Sequence, residues 1–109
     1  MPAEFHFHSE ALFEYAEATE FYVREASLRV ADAFVTAIEN ALAKVAAAPE
    51  RWRIIDEPEI RRYVLSKFPF IIYYRWESNT QMVVIYAVMH TSRDPLYWRE
   101  RKGQPSVPP

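Results

Sequence analysis

Cysteine is missing from all 109 residues, and glycine occurs once, at Gly103. Without thiols, disulfide scaffolds, thiolate zinc sites and cysteine nucleophiles are excluded. The longest apolar runs, such as residues 68–74, fall far short of the ~20 residues that a membrane helix needs. The opening Met1-Pro2-Ala3-Glu4-Phe5-His6 lacks a basic stretch followed by a long apolar one, so no secretory signal is expected and the cytoplasm is the expected location. Histidine is scarce too. His6 and His8, two apart, supply at most half a metal site, and the sequence places no third ligand; neither metal nor cofactor is expected.

Apolar residues are abundant: they make up 50% of the chain and include seven Phe, seven Tyr and three Trp. That is too hydrophobic for a disordered body. At this length, folding buries about two-thirds of the surface that the unfolded chain exposes, enough for one core without metal or disulfide support. One domain over residues 1–102 is expected, followed by a frayed tail at 103–109. The net charge of −2 hides an asymmetry. Residues 1–50 carry three bases against nine acids, whereas residues 51–109 carry ten bases against six acids. Either the basic half meets phosphate or an acidic partner, or the charges simply segregate on a solvated surface.

Residues 3–8 alternate, with Phe5 and Phe7 on one side and His6 and His8 on the other, as in a half-buried strand. Ser9 stands where an N-cap belongs, and Glu10 suits a first helical turn. Leu12, Tyr15, Thr19, Tyr22 and Ala26 then recur at helical steps. Ser27 offers a cap for a second helix striped with Val30, Phe34, Ile38, Ala41, Leu42 and Val45, which must stop before Pro49. So short a break predicts an antiparallel helical hairpin. After a polar connection at 50–58, strands are expected at 60–65, 70–76 and 82–88, the last two joined by the turn-forming residues 77–81. Asp94 and Pro95 would cap and begin a short terminal helix that ends at Gly103. The order β-α-α-β-β-β-(α) predicts a two-layer α+β domain, a helical hairpin packed on a small antiparallel sheet.

Three segments make the chain recognisable. They are Phe5-His6-Phe7-His8-Ser9-Glu10-Ala11 running to Phe21-Tyr22; Ile60-Arg61-Arg62-Tyr63-Val64-Leu65-Ser66-Lys67-Phe68-Pro69-Phe70 with Ile72-Tyr73-Tyr74-Arg75; and Ala87-Val88-Met89-His90-Thr91-Ser92-Arg93-Asp94-Pro95 with Tyr97-Trp98 and Arg101. Together they resemble the RelE/ParE toxin superfamily, in the branch of plasmid stabilisation proteins. The resemblance implies a type II toxin silenced by a cognate antitoxin, alone as a homodimer or with it in a hetero-oligomer. It does not fix one chemistry. The first reading is a toxin that binds a cellular target such as DNA gyrase. The second is a ribosome-dependent endonuclease of messenger RNA, needing no metal. The third is an inactive or repurposed member that only binds the antitoxin.

Candidate residues for catalysis or target contact are Arg62, His90, Arg93 and Tyr97. Metal-free RNA cleavage needs a base, an acid and cations around the phosphorane. His90 ends the last strand and is of a type that titrates near neutral pH; its alternative role is a structural bond to a loop carbonyl. Arg93 can grip a phosphate or a partner's carboxylate bidentately, and Asp94 beside it reads better as a helix cap than as a base. Arg61 and Arg62 point to opposite faces of a strand. By resemblance Arg62 aligns with a basic position of the family ribonucleases, leaving Arg61 to pair with a helix carboxylate. Arg75 reads as a solvated strand cation. Tyr97 aligns with the C-terminal tyrosine of some ribonuclease members, and Trp98 either pins the terminal helix or stacks on a base. One departure counts against cleavage: Ile71 stands where those enzymes often carry arginine. A shared working face requires Arg61 and Arg62 to converge with the 90–97 loop.

Overall fold

The computed structural model describes residues 3–57 and 59–93. Strand β1 (Glu4–Phe7) leads into α1 (Ser9–Glu25) and α2 (Leu28–Ala47), followed by β2 (Ile54–Asp56), β3 (Ile60–Val64), β4 (Phe70–Glu77) and β5 (Met82–His90). One sheet runs in the order β1-β5-β4-β3-β2. The β2–β3, β3–β4 and β4–β5 pairs are antiparallel, while β1 lies parallel to β5 with Phe7 opposite Ile85. The helical hairpin on a sheet is thus present. The parallel first pairing and the short β2, inside the stretch read as a plain connection, are added by the structure. The expected terminal helix at 94–102 and the tail lie outside the described residues.

Both helix starts follow capping chemistry, with one residue of difference. Ser27 caps α2, its Oγ accepting from the Val30 amide at 3.1 Å. At α1 the N-cap is His8 rather than Ser9: its Nδ1 accepts the Glu10 amide proton at 3.1 Å. An imidazole is an uncommon cap, but here it is buried, and its own amide donates to the Ile85 carbonyl at 2.8 Å. The strand-to-helix turn is thereby tied to β5.

The main core lies between hairpin and sheet. Phe34 is fully buried among Tyr15, Tyr22, Phe68 and Phe70, with ring centroids 5.0–6.1 Å apart in tilted or edge-on contacts. Such geometry suits the ring quadrupoles and adds to the burial itself. A second apolar group, Ile60, Tyr73, Val84, Tyr86, Ala87 and Met89, occupies the other face of the sheet.

Alternation along the strands decides which residues can meet. On β4, Phe70, Ile72, Tyr74 and Trp76 turn to the helices and Tyr73 turns away. On β5, Val83 and Ile85 face the helices while Val84 and Tyr86 face away. The register then slips: Tyr74 pairs with Ile85 and Tyr73 with Ala87, leaving Tyr86 unopposed. One inserted residue is a β-bulge, and it reverses the alternation beyond it. Val88 consequently returns to the helix side.

Candidate functional site

The bulge determines where His90 lies. Its ring stands edge-on to Phe70 at 5.3 Å, on the helix side of the sheet. The amide of Ser92 donates to His90 Nδ1 at 3.1 Å, and the Ser92 hydroxyl lies 2.8 Å from the same nitrogen. An N–H donor aimed at Nδ1 requires a lone pair there, so in the neutral ring the proton sits on Nε2. The ring is exposed, and the Arg93 amide donates to the His90 carbonyl at 3.0 Å, closing a tight turn.

His90 and Arg93 share a groove of about 300 Å³ with Glu14, Glu17, Glu20, Phe21 and Arg24 of α1 and with Phe70. The helix reaches the strand directly, the Glu14 carboxylate accepting the Val88 amide proton at 3.1 Å. Strand β1 has already ended at Phe7, so a glutamate takes the place of the missing strand on this part of the β5 edge. The histidine thus sits opposite a predominantly acidic helix face, with arginines at its rim.

Arg62 is elsewhere. It lies opposite Tyr73 in the β3–β4 pair and is hydrogen-bonded to it, on the face turned away from the hairpin. With Arg53, Ile54 and Val64 it lines a depression of about 550 Å³ at the β2–β3 edge. Burial raises the Tyr73 pKa, and the Arg62 charge offsets part of that rise.

Arg61 points to the hairpin side and is buried. Its guanidinium donates to the carbonyls of Glu50 at 3.0 Å and Trp52 at 2.7 Å, and pairs with Glu59 at 3.2 Å. The expected partner was a helix carboxylate; the observed partners are the loop after α2 and the residue two before it. Glu59 takes a left-handed φ of 59° to make that pair. Arg61 is therefore a fastener of the 50–53 loop. Arg75, read from sequence as solvated, is half-buried and paired with Glu77 at 3.4 Å.

The two faces keep the candidates apart. His90 and Arg93 come together on the helix side, whereas Arg62 lies on the opposite face with β4 between β3 and β5. Tyr97, Asp94 and Trp98 lie outside the described residues. Among the described residues, no group of three or more His, Asp or Glu is placed to hold a metal ion, and no helix is long and apolar enough to cross a membrane. Ser92, Arg53 and Glu14 were not singled out from sequence. Only Ser92, two residues from His90, carried a local cue; the other two meet their neighbours through the tertiary fold.

Residues 5–95 match the family model of the ParE toxin of the type II toxin–antitoxin system parDE. The chain belongs to the ParE toxin family. Solved structures agree at the level of fold. The chromosomal ParDE system of P. aeruginosa contains a chain 16% identical, with a TM-score of 0.69 over 81% of this chain and 95% of that one. A double mutant of the E. coli toxin RelE in the free state is 17% identical, with a TM-score of 0.65 over 94% of this chain and 99% of that one. The RelBE2 toxin–antitoxin complex of Mycobacterium tuberculosis aligns at 16% identity and a TM-score of 0.56, over 83% and 92%. No curated protein sequence is significantly similar. As a ParE family member the chain is a type II toxin of the RelE/ParE superfamily, and the ParE-type hairpin and sheet account for both faces described above.

Proposed function

We propose that this toxin acts by binding a protein target, with DNA gyrase as the family precedent, and does not cleave RNA. The observation carrying this reading is the separation of Arg62 from His90 and Arg93 on opposite faces of the sheet. A phosphorane needs its cations and its acid–base groups around one centre, and losing a single donor of that kind lowers rates by about 10²–10³. Ile71, where an arginine would strengthen a cleavage site, supports the same choice. Expressed without its antitoxin, the toxin is expected to induce the DNA-damage response, and the purified protein to inhibit gyrase supercoiling. RNA ends should stay unchanged. Ribosome-dependent nicks within codons would instead establish the endonuclease, and the absence of any growth effect an inactive member.

The cognate antitoxin is proposed to cover the groove between the helical hairpin and the sheet. That groove, about 370 Å³, has Ala33, Ala37 and Ala41 along its floor, Tyr63 and Phe68 on its wall, and Lys44 and Lys67 at its rim. Small residues allow a partner backbone close approach, and no carboxylate lines the groove, so an acidic segment that folds on binding fits it. Filling it with Ala33→Trp, at an exposed position, should weaken antitoxin binding about tenfold or more without unfolding the toxin; unchanged affinity would place the antitoxin elsewhere.

A further inference from the structure

Four of the large apolar side chains left exposed belong to one helix: Leu12, Phe13, Phe21 and Val23 of α1, each 42–59% accessible. Two of them, Leu12 and Val23, share one stripe, whereas Phe21 lines the groove of His90. Leu12, Ala16, Thr19 and Val23 follow steps of four, three and four residues, the spacing of a coiled-coil seam. Leu12, Ala16, Thr19 and Val23 line a single shallow apolar strip together with Tyr15 and Glu20. The seam lies to one side of Ala11, Ala18 and Tyr22, which face the core, and shares only Glu20 with the groove that holds His90. From Leu12 to Val23 it spans about 17 Å, three turns of helix.

We infer that this seam docks a basic amphipathic helix supplied by a second protein. The spacing specifies a helix, because knobs at such intervals seat between the side chains of a facing helix. Charge specifies its sign. Helix α1 carries Glu10, Glu14, Glu17, Glu20 and Glu25 against the lone base Arg24. Glu20 borders the seam, and its pairing with Arg24 is loose, at 3.9 Å between two exposed side chains. A second copy of this chain would set two acidic helices against each other. Lysine or arginine at the flanking positions of the incoming helix would instead pair with Glu20, as flanking charges choose partners in coiled coils. The surface is separate from the groove between α2 and the sheet, so the inference stands independently of the antitoxin site.

Two synthetic 21-residue peptides with leucine at the seam positions test it, one flanked by lysine and the other by glutamate. Titrated by fluorescence anisotropy into the full chain, the lysine peptide should bind at least about tenfold more tightly, and its affinity should fall with added salt. The double variant Leu12→Ser/Val23→Ser should lose that binding about tenfold or more, as loss of central apolar anchors does. The single variant Glu20→Lys, which leaves the apolar strip intact, should narrow the preference between the peptides. Circular dichroism of each variant verifies that the fold is kept. Equal binding of the two peptides would overturn the inference, as would lysine-peptide binding that ignores the seam substitutions. A dimer in sedimentation equilibrium that Leu12→Ser/Val23→Ser disperses would overturn it in favour of a second copy.

Discussion

Tyr74 shows how a single group in this core sets a limit on stability. Its hydroxyl donates to the Pro49 carbonyl at 2.8 Å, and burial pushes its pKa from 10.0 up to about 12 despite the lowering influence of Arg61. The folded chain therefore holds the phenolic proton more tightly than the unfolded chain. The stability this confers is complete below pH 10 and is lost as pH rises towards 12. Urea unfolding at pH 9, 10 and 11 should show the decline, and Tyr74→Phe should flatten it. Tyr15, Tyr22 and Tyr73 are raised by burial as well, so some decline should survive the substitution. The adjacent arginines give a second residue-scale contrast. Arg61→Gln leaves the carbonyls of Glu50 and Trp52 without a guanidinium donor and should cost about 2–3 kcal/mol. Arg62→Gln, on an exposed side chain, should change stability by less than about 1 kcal/mol. Equal costs in chemical denaturation would refute the assignment of one arginine to the interior and the other to the surface.

At the scale of elements, most of the fold could be read from the sequence because its helices obey strong local rules. The Ser27 cap, the stripe from Val30 to Val45 and the stop before Pro49 are local signals, and α2 spans Leu28–Ala47 accordingly. Strands β3, β4 and β5 follow from β-branched and aromatic runs separated by turn residues. What was not legible depends on partners distant in sequence. Strand β2 is three residues long and is defined by its pairing with β3. The parallel β1–β5 ladder joins residues nearly eighty positions apart. The bulge at Tyr86 is harder still: an unbroken run of apolar residues from Met82 to Met89 has no alternation from which a slip could be noticed. That slip sends His90 to the helix side, so the sequence could name His90, Arg93 and Arg62 as candidates but not show which of them share a face. Glu14 belongs to the same class of long-range contact. Glu14→Ala should strand the Val88 amide at a cost of about 1–3 kcal/mol, whereas Glu14→Gln, which keeps an acceptor oxygen, should cost less. Hydrogen exchange at Val88 provides the check, with protection lost in the alanine variant alone.

For the whole molecule, the sheet acts as a partition. One side presents His90 and Arg93 beside the glutamates of α1, and the other presents Arg53 and Arg62 beside exposed Ile54 and Val64. Its charge asymmetry thus becomes spatial, an acidic hairpin backed by a sheet with a cationic edge. A target bound on one surface has little reason to sense the other. The variants Arg62→Glu and Arg93→Glu are therefore expected to differ sharply in their effect on toxicity, one abolishing growth arrest and the other nearly silent. Target affinities in a double-mutant cycle should show coupling below about 0.5 kcal/mol, as for independent sites. If both arginines instead served a single reaction centre, each substitution alone would abolish activity, and the double variant would lose little more than either one, since groups acting as a unit are far from additive. That pattern would mean that one substrate reaches both faces of the sheet, across the β4 strand that separates β3 from β5.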